Sequence, residues 1–136
     1  MPYYLEESSR IKTRAATSVA LALSFLPPFA LEWCLQQIMC SAKPSTFNEV
    51  SSARASVCAV SKRCRGRGCL QRSIAVVIFC RLSGTTPSWK SGYRLDPFRA
   101  HAWVEVGGVP VGEPSDVTYY ARVLEANPML TQGRKC

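Results

Sequence analysis

Cys69, His101 and a following acid, Glu113 or Asp116, are the side chains of this sequence whose types and order could do nucleophilic chemistry. A thiol attacks as its thiolate, so it needs a base to take its proton and a third group to orient that base. Cys69 opens the run Gly68-Cys69-Leu70-Gln71-Arg72-Ser73, where the pattern predicts a helix start. His101 is the sole histidine and opens the strand-like run His101-Ala102-Trp103-Val104-Glu105-Val106. Glu113 lies 12 residues further on, after one hairpin return, and Asp116 is the alternative if Glu113 points away. A thiol in the first turn of a helix feels the positive end of the helix dipole, and the free amides there can stabilise an oxyanion. Taken singly, each residue has a structural reading: a packed cysteine, a structural histidine, a glutamate in a turn before Pro114. It is their order, nucleophile on a helix and then base and acid on strands, that favours a catalytic reading.

The elements that must position them follow from periodicity and punctuation. Leu70, Ile74, Val77, Ile78 and Leu82 recur at helical spacing, which predicts a helix over 69–82 stopped by Gly84. Upstream, Thr46-Phe47-Asn48-Glu49 reads as a capping box opening a helix to about residue 63, with Arg65-Gly66-Arg67-Gly68 as the break. Residues 10–26, ended by Pro27-Pro28, and 29–40 read as two earlier helices. From Thr85 the texture changes to short alternating runs: strands over 88–94 and 100–106, with 109–112 pairing back across Gly107-Gly108. Residues 119–124 read as a last strand or a short helix. The fold class expected is α+β. A helical lead-in (1–45) precedes a core (46–136) made of the nucleophile-bearing helix and a small antiparallel sheet, all in one compact domain.

Composition narrows the classes. With 47% hydrophobic and 19% charged residues over 136, the chain is globular rather than disordered. The net charge of +8 is concentrated: residues 61–100 carry nine Lys/Arg against one acid, whereas 1–60 carry five against four and 101–136 three against four. The excess, which includes Lys62, Arg63, Arg65, Arg67 and Arg72, is either a solvated basic surface or a field that lowers the Cys69 pKa and attracts an acidic peptide. Seven cysteines (34, 40, 58, 64, 69, 80 and 136) occur at irregular spacing with no CxxC, which argues against a zinc site and against a disulfide scaffold. Reduced thiols in a cytoplasm are expected, with Cys34, Cys40 and Cys80 as small core residues. No metal or cofactor is expected, and no Gly-rich phosphate motif occurs. Residues 15–26, after Arg10, Lys12 and Arg14, have the look of a signal-peptide core, but Glu6 and Glu7 precede them and Pro27-Pro28 follows. A mostly apolar run of twelve residues falls short of the roughly 20 needed to span a bilayer, so a buried helix and no membrane span are expected.

The motif around Cys69, together with Cys80-Arg81-Leu82, Pro97-Phe98-Arg99-Ala100-His101-Ala102-Trp103-Val104-Glu105-Val106 and Val111-Gly112-Glu113-Pro114, closely resembles the leader peptidases of lasso-peptide biosynthesis. These are transglutaminase-like cysteine proteases with a papain-like Cys-His-acid site. The resemblance covers most of residues 46–125; residues 10–45 match in texture alone. It implies a thiol peptidase that cuts the leader from a ribosomally made precursor peptide before a separate cyclase closes the ring. Carried over, Cys69 is the nucleophile and His101 the general base and later acid. The third position is usually Asp in the family, and Glu113 stands there in this chain, so Asp116 stays open. The short lead-in resembles the split form, which implies a separate leader-recognition protein as partner, the precursor as substrate and the cyclase as a further partner.

Readings of other classes compete. Residues 62–67 permit phosphate contact and a basic nucleic-acid-binding protein, but no recognition-helix motif or aromatic stacking platform accompanies them, so nucleic acid is not the expected partner. A non-catalytic precursor-binding scaffold of the same fold is the main alternative. Transfer to an amine, by the same three residues, is another.

Overall fold

Proline sets the starts of the first helices. The computed structural model describes residues 2–61, 68–95, 98–113, 117 and 119–128. Helix α1 (Pro2–Leu23) and helix α2 (Pro28–Ile38) both begin on proline, whose fixed φ and missing N–H suit a first helical turn. The α1 helix starts earlier than the sequence pattern indicates and stops at Leu23 rather than 26. Its last turn tightens, with Phe25 N–H donating to Ala22 and Leu26 N–H to Leu23, because residues ahead of proline are pushed out of the α region. Thr13, Ala16, Thr17 and Ala20 form its buried stripe, so the signal-like run is a packed helix. Among the described residues no helix is long and apolar enough to cross a membrane.

Helix α3 (Phe47–Val60) opens on the capping box. The Glu49 N–H donates to Thr46 Oγ1 at 3.2 Å, and Thr46 Oγ1 donates to Glu49 Oε1 at 3.1 Å. The hydroxyl of Thr85 donates to Glu49 Oε2 at 2.8 Å; that bond first, then Thr46, holds the Glu49 carboxyl below its ordinary range. The cap thus ties α3 to the first strands. The helix ends at Val60 because Ser61 turns extended (φ −111°, ψ 117°). Helix α4 (Cys69–Leu82) follows, stopped by Gly84 at φ +93°. From Gln71 to Ile78 every residue of α4 is buried, which makes it the central helix.

The strands are β1 (Lys43–Pro44), β2 (Thr85–Thr86), β3 (Ser88–Arg94), β4 (Arg99–Val106), β5 (Val109–Pro110) and β6 (Ala121–Ala126). β1 pairs in parallel with β2, while the main sheet is antiparallel in the order β5-β4-β3-β6. The fold is α+β. Gly107 and Gly108, at φ +59° and +82°, make the two-residue turn from β4 to β5. The return strand is shorter than the expected 109–112, since Val111 leaves the ladder to bury itself after one bond to Val104 O. The last element is a strand, and it begins at Ala121 rather than 119.

One cluster joins both halves: Ala16, Ala20, Leu35, Val50, Val57, Ile74 and Val77 from the helices, and Trp89, Val104 and Ala126 from the sheet. Trp89 is fully buried, and its indole N–H donates to Ser73 Oγ of α4 at 2.9 Å. Cys80 also belongs to the core, and burial pushes its thiol up to about 11. Cys40 departs from the expectation of a reduced core thiol: it is disulfide-bonded, and its partner is not among the free cysteines Cys34, Cys58, Cys69 and Cys80.

Gly92 is required where it stands. A Cβ there would come within 2.3 Å of the Ala121 carbonyl oxygen, at the point where the β3–β6 register shifts. Trp89→Ala is expected to lower stability by about 3–5 kcal/mol in urea unfolding. Gly92→Ala is expected to destabilise the fold too, with β6 amides as the first to lose hydrogen-exchange protection.

Candidate active site

The pleat of β4 decides where His101 points. Ala102 and Val104 belong to the core cluster, so His101, Trp103 and Glu105 share the opposite face. His101 is the third residue of β4, because the strand begins at Arg99, one residue before the expected 100. It pairs with Gly92 of β3. Trp103 stacks on its ring at 5.9 Å and 14°, and Tyr120 tilts against it at 5.7 Å and 47°. Trp103 is held in turn: its indole N–H donates to Glu105 Oε1 at 2.9 Å, and Glu105 Oε2 pairs with Lys90. Trp103, so held, and Tyr120 therefore pack against the imidazole ring.

Glu113 reaches His101 Nε2 at 2.7 Å through Oε2, and its side chain is 5% exposed. The preceding Gly112 adopts φ +69°, and a Cβ there would lie 2.6 Å from Nε of Arg54 on α3. Only glycine allows this turn against α3, and the turn aims Glu113 back over the sheet. Of the two candidate acids, Glu113 is the one on the imidazole; Asp116 lies outside the described residues.

Since Glu113 occupies Nε2, Nδ1 is the nitrogen left for Cys69. Cys69 begins α4 as expected, behind the N-cap Gly68, which offers no capping side chain to the first-turn amides. Burial of the thiol works against its ionisation. The hydrogen bond with His101, the Ala102 backbone amide and the charges of His101 and Arg72 outweigh it, so the Cys69 pKa falls below its ordinary value. His101 moves the other way, to about 9, raised by its bonds to Cys69 and Glu113 against the opposing effect of burial. The pair favours a thiolate beside an imidazolium, the state in which a cysteine is a nucleophile. Of the basic residues expected to act on Cys69, Arg72 does so, from a buried position. Residues 62–67 lie outside those described.

Sequence reasoning missed several parts. The Trp103–Tyr120 box was half-visible, since Trp103 stands two residues after His101 and shares its face. The Ala102 amide on the sulfur carries no sequence signal. Nor does Gln71, whose Nε2 donates to Thr17 O at 3.1 Å and braces the first turn of α4 against α1.

The profile of the transglutaminase-like superfamily matches residues 13–125, and the chain belongs to that superfamily, which includes cysteine peptidases. No curated protein gives a significant match, and no solved structure does. The match begins inside α1 and contains Cys69, His101 and Glu113.

The raised His101 pKa adds stability that is complete below 6.5 and lost as the pH climbs through about 9. The lowered Cys69 pKa adds stability that is complete above 9.0 and lost as the pH falls through its folded value. Where the two windows overlap, between the folded Cys69 value and about 9, the slopes oppose, since one proton has moved from sulfur to ring. The wild type should therefore show almost flat stability with pH there. As the only imidazole, His101 should titrate near 9 by proton NMR, and at lower pH in Cys69→Ala and in Glu113→Gln.

Proposed function

We propose that this chain is a cysteine peptidase that removes the leader from a ribosomally made lasso-peptide precursor. The observation that carries the reading is the chain of contacts from Glu113 through His101 to Cys69, with Oε2 at 2.7 Å from Nε2. The resemblance around Gly68-Cys69-Leu70-Gln71-Arg72-Ser73 and the strand of His101 supports the narrower substrate class.

In this mechanism the Cys69 thiolate attacks the carbonyl carbon at the leader–core junction. The C–S bond forms and the carbonyl π pair moves onto oxygen, where first-turn amides of α4 meet the charge. The pair returns, the C–N bond breaks, and the His101 imidazolium gives its proton to the leaving amine of the core. His101, now neutral and held by Glu113, takes a proton from water. The hydroxide attacks the thioester, the C–S bond breaks to restore the thiolate–imidazolium pair, and the leader leaves as a carboxylic acid that gives its proton to solvent. Glu113 orients the ring throughout.

The partners belong to the same proposal: a separate leader-recognition protein and the cyclase. Phe25, Phe29 and Trp33, all largely exposed at the end of α1 and along α2, offer an apolar stripe for the first of these.

The test is mass spectrometry of the precursor encoded beside this gene, incubated with the protein and its leader-binding neighbour. Free leader and free core are expected with the wild type and neither with Cys69→Ala or His101→Ala. Glu113→Gln should keep the cleavage site and lose at least about tenfold in kcat, because the ring loses its charged orienting partner. An intact precursor in all samples, with the proteins folded and bound, would replace the peptidase by a precursor-binding scaffold.

A further inference from the structure

A cleft of about 250 Å³ opens between the end of α1 and the start of α4, lined by Leu21, Ser24, Phe25, Gly68, Leu70 and Gln71. Gly68 and Leu70 are the chain neighbours of Cys69, so the cleft flanks the thiol. The mechanism above leaves it unused. Its polar lining is committed within the fold: Ser24 Oγ donates to Leu21 O at 2.6 Å, and the buried Gln71 donates through Nε2 to Thr17 O. What the cleft offers a ligand is chiefly Leu21, Leu70 and Phe25, the last of them 79% exposed. A concave, mainly apolar lining with few polar groups is the usual character of a ligand site.

The cleft lies across Cys69 from the base. Cys69 meets His101 and the Ala102 amide of β4. Gln71, two residues on and about half a turn round α4, is bonded to α1 instead. His101 protonates the leaving amine, so the segment released with that amine lies on the sheet side of the thiol. The acyl segment, which becomes the thioester, must then run towards α1. In this reaction that segment is the leader. The same end of α1 also leads outwards, because Phe25 belongs both to the cleft and to the exposed stripe it forms with Phe29 and Trp33. A leader held by a protein on that stripe would arrive at the cleft wall.

We infer that this cleft is the subsite for an apolar side chain of the leader, close to the cut bond on its acyl side. The inference rests on the peptidase reading and names what that site selects. An aliphatic or aromatic side chain seated there leaves water and meets Leu21, Phe25 and Leu70. A carboxylate seated there would be desolvated against the same side chains, with the Ser24 hydroxyl and the Gln71 amide already donating elsewhere.

Tripeptide aldehydes test the acyl side alone. The Cys69 thiolate adds to the aldehyde carbon, the C–S bond forms, and the carbonyl oxygen takes the imidazolium proton to give a reversible hemithioacetal. The set is an acetylated all-alanine aldehyde and its variants with one leucine or one aspartate at each of the three positions. Protection of Cys69 from iodoacetamide is read by mass spectrometry, with Cys34 as the internal reference. At one position leucine is expected to protect at a concentration at least about tenfold lower than alanine, with no gain from aspartate. The leucine preference should disappear in Ser24→Tyr, which fills the cleft. It should fall at least about threefold in Phe25→Ala, a change at an exposed position. A native thermal melt checks the fold of each variant. Equal protection by leucine and alanine at all three positions, aspartate matching leucine at the preferred position, or a preference that survives both substitutions would each overturn the subsite and leave the peptidase reading in place. That reading fails separately, and takes the subsite with it, if no aldehyde protects Cys69 and the free protein alkylates at Cys69 no faster than at Cys34 and Cys58.

Discussion

The bond from the Trp89 indole to Ser73 joins the helix that carries the thiol to the strand beside the one that carries the imidazole. Nucleophile and base, Cys69 and His101, are 32 residues apart in sequence and come from different elements, so their separation is fixed by how α4 seats on the sheet. Trp89 is fully buried and pairs with Val104 on one side and Ala126 on the other, so it centres the sheet face on α4. A shift in that seating would move Cys69 relative to His101 before it disturbed either element. The placement of the thiol beside the imidazole thus depends on core packing as well as on the local helix start.

Within the site, one proton is shared among partly buried groups. The thiol is poorly solvated, which alone would keep it neutral; the imidazole beside it and the Ala102 amide reverse that. Glu113 makes the reversal durable, because its buried carboxylate stabilises the imidazolium and anchors the ring. The glutamate reaches the ring from a turn that Gly112 draws against Arg54.

Much of this was legible from residue order alone. The α4 helix has the expected bounds because apolar spacing, a glycine break before it and Gly84 after it agree. The capping box at Thr46 and the turn at Gly107-Gly108 are local chemistry and read directly. What sequence could not give was long-range. β5 shortens because Val111 finds the core, and α1 stops early because Pro27 and Pro28 constrain the chain ahead of them. Cys40 gave no sign of its disulfide, since one cysteine among irregularly spaced others has no pairing signature. Glu113 meets the imidazole because of where a turn aims its side chain, which spacing does not encode; Asp116 lies outside the described residues.

Sheet order places β6 at an edge, and side chains of α2 meet part of it: Glu32 accepts the Glu125 N–H, while Gln36 both accepts from and donates to Asn127. Two polar side chains of a helix thus stand where a further strand would otherwise dock. The helical lead-in is in this sense a terminator of sheet growth. A fragment lacking it would keep every residue of the Cys69–His101–Glu113 constellation yet present an open ladder, and its fate would be self-association through the edge rather than a smaller working unit.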